Sequence, residues 1–202
     1  MMDSSPPSAP APGSDDDRDL ALMRRIAEGD DVAFAELVET YQHAVMGTVT
    51  KMLGQASEAE DVAQQVFVRV WRSAARYQPS AKFTTWLFTI TRNLVFNEMR
   101  RRQRKPAVSL DEREEEQPGS IPVDGDPKPD DSALLAELEQ AVDSAIRRLP
   151  EKQRMAVILR RYQEMAYEDI GEVLGLSLPA VKSLLFRARA QLREDLEKYL
   201  DG

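Results

Sequence analysis

The chain has 202 residues, a formal net charge of −8, a single histidine and no cysteine. The composition therefore excludes disulfides and thiol nucleophiles, and it leaves a His-rich metal site or a Ser–His relay without the residues that such sites need. No apolar run approaches the roughly 20 residues of a membrane helix and none near the start is typical of a signal peptide, so we expect a cytoplasmic protein that is not an enzyme and holds no metal or cofactor.

The first residues of the chain, MMDSSPPSAPAPGSDDD, are rich in proline, serine and aspartate. Such a segment cannot bury a hydrophobic core, and its composition predicts a disordered tail over residues 1–17. A short helix is predicted to follow this tail near residues 19–28.

Two longer helices are predicted next from their hydrophobic periodicity. From Asp31 to Leu53 apolar residues recur every three or four positions, and Gly54 is predicted to end this helix. Ser57 and Glu60 have the spacing of a capping box, which predicts the start of another amphipathic helix at this point.

A third long helix is predicted to start near Thr84 and to end before Pro106, which cannot continue a helix. Its final part is strongly basic, because residues 92–105 hold six basic residues and only one acidic residue, Glu98, a balance of +5. We expect these helices to bury their apolar stripes together as one helical bundle over 18–104.

Residues 105–131 have the composition of a linker, because they are rich in proline, glycine and acidic residues. The part from 109 to 131 holds nine acidic and two basic residues, a balance of −7. At about 3.3 Å per extended residue, the linker could span on the order of 90 Å. That length exceeds two turns of duplex DNA, at roughly 34–36 Å each.

Residues 167–189 read YEDIGEVLGLSLPAVKSLLFRAR and have the spacing of a helix-turn-helix. Gly171 is predicted to allow a close approach of the partner helix, Gly175 to supply a left-handed turn residue and Ser177 to cap the second helix. Residues 177–193 hold four basic residues and no acidic one, so this second helix suits the major groove. An ordinary helical hairpin has a similar glycine turn, and the basic helix favours DNA binding over that alternative.

The string AYEDIGEVLGLSLPAVKSLLFRARAQLRE resembles the C-terminal promoter-binding domain of the extracytoplasmic-function sigma factors, a compact group within the sigma-70 family. AFAELVETYQHAV, EDVAQQVFVRVW and FTTWLFTITRNLV resemble the N-terminal domain of the same family. The likeness covers about residues 19–104 and 132–196, in the order that the family has. Four matching blocks in order make a specific resemblance, which a lone helix-turn-helix would not.

Periodicity and resemblance together predict an all-α fold with two small helical bundles joined by a flexible acidic linker. The resemblance implies a sigma-2-like domain over 18–104, for polymerase docking and for recognition and melting of the minus-ten element. It implies a sigma-4-like helix-turn-helix domain over 132–202, for recognition of the minus-thirty-five element. The implied partners are bacterial core RNA polymerase, promoter DNA in duplex and single-stranded form, and an anti-sigma factor.

The resemblance also implies a docking face for the coiled coil of the polymerase clamp. Its residues in this chain are Asp61, Gln64, Gln65 and Phe67. The three polar residues stand at i, i+3 and i+4, which places them on one face of a helix. Gln65 departs from the glutamate that the family usually has there, and a merely solvated helix face has the same spacing.

For the minus-ten element, the resemblance implies contacts by Tyr77, Arg92, Asn93, Arg100, Arg101 and Arg102. Melting needs a stacking surface, a hydrogen-bonding group for a base and cations along the phosphates. Tyr77 can stack, Asn93 can bind a base edge and the arginines can hold the backbone. Phe83 and Trp86 lie in the same segment and have the character of core residues.

For the minus-thirty-five element, the resemblance implies contacts by Lys182, Ser183, Phe186 and Arg187 on the second helix of the helix-turn-helix. Val181 and Leu185 are expected to anchor this helix from its inner face. Leu184 stands where the family frequently has an arginine, which predicts weaker phosphate anchoring or a shifted base preference.

A stand-alone transcriptional regulator is the main alternative. Such a protein would bind duplex DNA through residues 167–193 and use the N-terminal helices for a partner. The second basic helix, which ends at Lys105, favours a sigma factor because a simple regulator has no need of it.

Overall fold

The computed structural model describes residues 14–104 and 129–200, and all regular secondary structure in these two ranges is helical. The first range contains α1 (Ser14–Ala27), α2 (Asp31–Leu53), α3 (Ala56–Ser73), a single 3-10 turn (Ala74–Arg76) and α4 (Phe83–Arg104). The second range contains α5 (Pro129–Arg148), α6 (Glu151–Tyr162), α7 (Tyr167–Leu174), α8 (Leu178–Asp195) and α9 (Glu197–Leu200). The predicted all-α fold is confirmed. Within these ranges, no helix combines the length and the apolar character that crossing a membrane requires.

Helix α2 has the bounds that its apolar periodicity predicts, and both of its ends have a physical cause. The Asp30 side chain accepts hydrogen bonds from the N–H groups of Val32 and Ala33, at 2.9 and 3.0 Å, and so caps the first turn. Gly54 ends the helix with a φ of 75°, and its N–H donates to the carbonyl oxygen of Thr50. This left-handed conformation carries no steric cost for glycine.

The ends of two other helices differ from the prediction. Helix α1 begins at Ser14, so the last four residues of the segment predicted as a disordered tail are helical, while residues 1–13 lie outside the described residues. Helix α5 begins at Pro129, inside the predicted linker, of which residues 105–128 lie outside the described residues.

The predicted capping box at the start of α3 was wrong. The helix begins at Ala56 after the cap residue Gln55, whose side chain makes no capping hydrogen bond. Ser57 therefore lies inside the first turn, two residues after the cap position. The apolar stripe of the helix, and not a cap, explains why it forms here.

Helices α1 to α4 bury their apolar stripes together in the N-terminal bundle. Its fully buried side chains include Leu37, Val45, Val49, Val66, Val70, Leu87 and Val95. Each such side chain contributes on the order of 1.5–3 kcal/mol when it leaves water. The C-terminal bundle, α5 to α8, has a core of the same kind that includes Leu149, Met155, Ile158, Ile170 and Val181.

The two bundles contact each other directly. Helix α2 packs against α5 and α6, and α4 packs against α7. Among the described residues, two ion pairs cross the interface: Lys51 Nζ lies 2.9 Å from Asp143 Oδ1, and Lys82 Nζ lies 2.8 Å from Asp169 Oδ2. Arg154 on α6 also donates to the carbonyl oxygen of Met52 at 2.9 Å. The sequence predicts two bundles on a linker, and the structure adds that they are docked.

Candidate nucleic-acid interface

The outer face of α8 presents the four residues predicted to bind the minus-thirty-five element. Lys182, Ser183, Phe186 and Arg187 are all exposed, and Phe186 has 74% of its surface accessible. Val181 and Leu185 lie buried on the opposite face, as predicted. A bulky aromatic ring left in water beside two cations is the composition expected of a surface that binds a groove, where apolar contact with a thymine methyl adds to charge.

The turn before α8 depends on two glycines. Gly175 has a φ of 65°, as the sequence predicts for a left-handed turn residue. A Cβ at Gly171 would lie 2.7 Å from the carbonyl oxygen of Leu176, so the close approach that the sequence predicts is to the turn backbone itself. The Leu176 N–H donates to the Gly171 carbonyl at 2.8 Å and closes the turn.

Two residues of this motif differ from their predicted roles. Ser177 is the cap residue of α8 by position, but its hydroxyl makes no capping hydrogen bond. Leu184 is buried, so it packs in the core of the helix-turn-helix and offers nothing to a phosphate. At this position the chain therefore has a buried apolar side chain, where the family frequently has an arginine.

Helix α4 presents a polar strip to solvent. Asn93, Asn97, Arg100 and Arg104 follow one another at four, three and four residues, and all four are exposed. The predicted site contains Asn93 and Arg100 but not Asn97 or Arg104, although their helical spacing could have indicated them. From Arg92 to Arg102 the helix rises about 15 Å at 1.5 Å per residue, so the predicted minus-ten residues on α4 form a track and not a single pocket.

Tyr77 does not stand free as a stacking platform. Its ring is half-buried and packs against Trp86 with a centroid distance of 4.8 Å and against Phe83 at 6.2 Å. Burial raises the pKa of the Tyr77 phenol, and the charges of Asp16 and Asp19 act in the same direction. Phe83 is buried and belongs to the core, as its character predicts. Tyr77 thus covers the aromatic cluster and offers only its outer side to a ligand.

Arg92 is half-buried beside the exposed Asn93. Burial lowers the pKa of the Arg92 guanidinium below its ordinary value. Its Nε is buried without a hydrogen-bond partner among the described residues. A partly desolvated cation of this kind gains from an anionic partner, because the cost of removing it from water has already been met by the fold.

The three consecutive arginines at the end of α4 have different surroundings. Arg100 donates to the carbonyl of Phe96 and to Asn97 Oδ1, at 3.2 and 2.7 Å. Arg101 is exposed and binds both carboxylate oxygens of Glu98, at 2.7 Å each.

Arg102 holds the N-terminal bundle together. It donates to the carbonyl oxygen of Leu53 at 2.9 Å and forms an ion pair with Glu58. Its guanidinium therefore joins the end of α4 to the end of α2 and the start of α3. Its predicted DNA contact competes with these bonds, so Arg100 and Arg101 are the better candidates.

The predicted docking face on α3 is partly as expected. Asp61, Gln64 and Gln65 are exposed together, but Phe67 is only 8% exposed and lies in the core. Phe67 therefore has little accessible surface for the direct polymerase contact that was predicted. Val68, which is 45% exposed, continues the face one turn beyond Gln64 and was not predicted.

Comparison with known protein families covers both bundles. A family model described as Sigma-70 region 2 matches residues 37–105, and one described as Sigma-70, region 4 matches residues 139–192. The RNA polymerase sigma-H factor of Pseudomonas aeruginosa is 33% identical over 186 residues, which cover 91% of this chain and 96% of that protein. The ECF RNA polymerase sigma factor SigW of Bacillus subtilis is 32% identical and covers 86% of this chain and 94% of its own length.

Two solved structures are similar to the whole arrangement. CnrH in complex with the cytosolic domain of CnrY superimposes with a TM-score of 0.67 and 25% identity, over 90% of this chain and 99% of that one. The sigma factor RpoE in complex with the anti-sigma factor NepR from Bartonella quintana gives a TM-score of 0.64 over 81% of this chain and 96% of that one. At 24% identity, the second likeness shows the fold alone.

Proposed function

Because this chain belongs to the extracytoplasmic-function group of the sigma-70 family, we propose that it binds core RNA polymerase in the cytoplasm and directs promoter recognition and melting without catalysing a reaction itself. One observation carries the assignment of DNA contacts. Each bundle presents an exposed helix face with basic residues at the segment that the family resemblance assigns to DNA, the strip on α4 and the outer face of α8. Two separate faces match a promoter that is contacted at two separate elements.

We assign recognition of the minus-thirty-five element to α8. Arg187 can bind a guanine through two hydrogen bonds, Lys182 can hold a phosphate and Phe186 can contact a thymine methyl. Ser183 can donate to either a base or the backbone. These contacts fix the C-terminal domain on duplex DNA and require no strand separation.

We assign capture of the melted minus-ten strand to α4 and the loop before it. A flipped base has lost its stacking and pairing, at a cost of a few kcal/mol that the protein must offset. Asn93 offers an exposed amide for a base edge, and Tyr77 offers its outer side for stacking. Arg92, Arg100 and Arg101 can bind the phosphates on either side.

We assign polymerase docking to the face of α3 formed by Asp61, Gln64, Gln65 and Val68. Three polar side chains around one exposed aliphatic side chain suit a helix-to-helix contact, in which a small apolar centre is surrounded by hydrogen bonds. We also propose that an anti-sigma factor controls this chain, on the support of one similar structure in which a sigma factor is held by an anti-sigma factor.

The decisive experiment is transcription by the purified full chain with core polymerase on fragmented genomic DNA of its own bacterium. Sequencing the transcript 5′ ends should reveal start sites that core polymerase alone does not produce, with shared motifs about 10 and 35 base pairs upstream. Unchanged starts, together with tight duplex binding by the free chain, would favour a stand-alone regulator instead.

A further inference from the structure

Lys82 is a cation that the predicted promoter contacts do not include. It precedes α4 directly, and its carbonyl oxygen accepts a hydrogen bond from the N–H of Trp86 at 3.2 Å. Its side chain is 51% exposed, and Nζ lies 2.8 Å from Oδ2 of Asp169. The Asp169 side chain is only 17% exposed. The ion pair thus joins the loop before α4 to the first helix of the helix-turn-helix in the other bundle.

Several carboxylates from outside α4 act on Lys82. The hydrogen bond with Asp169 raises the pKa of Lys82, and the charges of Asp169, Asp16 and Glu172 act in the same direction against a smaller effect of burial. No acidic residue lies in the first turn of α4. The negative charge around this ammonium therefore comes from α1, which packs in the same bundle, and from α7, which belongs to the other bundle.

We propose that Lys82 is a further promoter-contacting residue, which binds a phosphate of the melted minus-ten strand and which the free chain holds in an ion pair with Asp169. This inference rests on the proposed function of α4. Lys82 lies in the segment between Tyr77 and Asn93, the two residues assigned to the unpaired bases. An ammonium on a flexible stem binds phosphate as a point charge, so it needs no exact orientation.

Competition for one cation links DNA capture to the arrangement of the bundles. A carboxylate and a phosphate compete for the Lys82 ammonium, because two anions held beside one cation repel each other. Binding of the strand therefore weakens one of the contacts between α7 and the N-terminal bundle. Strand binding thus favours separation of the bundles by some factor, and by thermodynamic reciprocity separation of the bundles raises the affinity of Lys82 for the strand by the same factor. We expect polymerase binding to be an event that separates them.

The test compares two variants that remove the same ion pair from opposite sides. Asp169→Asn leaves Lys82 free, whereas Lys82→Gln removes the cation itself. The full chain is titrated against a labelled 12-nucleotide single-stranded DNA of mixed sequence over a range of salt concentrations. For an exposed pair we expect Asp169→Asn to bind about two- to five-fold more tightly than the wild type. Its salt slope should steepen by about 0.7, the value for one further phosphate contact on a single strand. Lys82→Gln should bind no more tightly than the wild type.

The second ion pair between the bundles supplies the matched controls. Asp143→Asn and Lys51→Gln make the same chemical changes at the Lys51–Asp143 pair, which joins α2 to α5 and does not involve Lys82. If loosening the bundles or changing the net charge were sufficient, Asp143→Asn would match the gain of Asp169→Asn, and the proposal would be overturned. Equal affinity of Asp169→Asn and Lys82→Gln would overturn it as well.

Wild-type protein from the same preparation is tested with core polymerase on genomic fragments. Specific starts combined with no gain for Asp169→Asn refute the Lys82 contact and leave the proposed function intact. Absence of specific starts refutes the proposed function, whatever the variants do. Circular dichroism of each variant shows whether the helical fold is kept, and Lys82→Arg, which retains a cation, should bind like the wild type if it is.

Discussion

Asn93 and Arg92 are neighbours in the chain but have different surroundings. Asn93 is exposed with its amide in solvent, while Arg92 is half-buried with a lowered pKa. In a helix, consecutive side chains point about 100° apart, which allows one to meet a base while the other lies against the protein. This pair offers two different functions within one turn of α4, hydrogen bonding to a base and charge for the backbone.

We expect Asn93→Ala to keep the helical fold and the affinity for core polymerase but to lose most open-complex formation. The amide is exposed, so its removal costs little stability, whereas a flipped base loses its hydrogen-bonding partner. Permanganate reactivity of promoter thymines measures melting, and a pull-down measures polymerase binding. Gln42→Ala is the control, because it removes an exposed amide from α2, outside the assigned DNA contacts. Normal melting by Asn93→Ala would show that this residue is only a solvated helix residue.

Two glycines that lie inside helices, Gly171 and Gly47, should respond to alanine in opposite ways. In Gly171→Ala the new methyl group would collide with the carbonyl oxygen of Leu176, so we expect a loss of about 1–3 kcal/mol of unfolding free energy. Nothing lies within 4 Å of a Cβ at Gly47 in α2, so Gly47→Ala should gain up to about 1 kcal/mol from helix propensity. Urea unfolding of both variants should show changes in unfolding free energy of opposite sign. Equal shifts would contradict the contact at Leu176.

The character of each site residue could be predicted from the sequence, but its partners could not. The sequence placed three arginines at the end of α4, yet only the structure shows Arg102 bound to Leu53 and Glu58, roughly half the bundle away along the chain. Lys82 gave no signal, because its partner Asp169 follows it by 87 positions. Phe67 matched a docking motif while the packing of its bundle buries it.

The helices themselves follow local rules to different degrees. α2 could be predicted to the residue because a capping aspartate and a left-handed glycine define its two ends. The capping pattern at Ser57 failed because the spacing of a serine and a glutamate is common. The helix begins two residues earlier than a cap at Ser57 would place it, because its apolar stripe starts it. Local signals that are redundant identify a helix end better than one that stands alone.

The recognition helix α8 should act before strand separation. We expect Arg187→Ala to slow closed-complex formation and to cost roughly 1–3 kcal/mol of binding if the guanidinium binds a guanine through two hydrogen bonds. Transcription from a template with a pre-melted bubble should remain nearly intact. Arg189→Ala is the matched control on the same helix, because Arg189 donates to the Tyr167 hydroxyl at 2.9 Å. Equal loss of Arg187→Ala activity on both templates would assign the residue to folding or polymerase docking.

For the molecule as a whole, the net charge of −8 conceals two basic helix faces on docked bundles. The ion pairs between the bundles are partly exposed, and pairs of this kind contribute about 0–1 kcal/mol each. The ion pairs therefore contribute little to holding the bundles together, and helix packing with the hydrogen bonds of Arg154 and Gln163 contributes the rest. The overall negative charge also opposes duplex binding by the free chain, since like charges repel at low salt.

We expect the bundles to separate when the chain binds core polymerase. The chain contains no cysteine, so Glu39→Cys and Ala190→Cys, both at exposed positions in different bundles, give two unique sites for fluorescent labels. Energy transfer between the labels should be high in the free chain and fall on addition of core polymerase. In the free chain, the same two labels should show lower energy transfer when Asp169→Asn is also present. Unchanged transfer on polymerase binding would mean that initiation uses the docked arrangement.

The Arg154 guanidinium has a consequence for how this interface can change over generations. It donates to the main-chain carbonyl of Met52 in one bundle and to those of Arg147 and Leu149 in its own, and Gln163 donates to the main-chain carbonyl of Ala44. Every amino acid supplies a carbonyl oxygen, so these two acceptors on α2 do not depend on the identity of the side chain, although Met52 is also held by its burial. Arg154 and Gln163 donate from their side chains, so heritable drift breaks these hydrogen bonds only when it changes the donors.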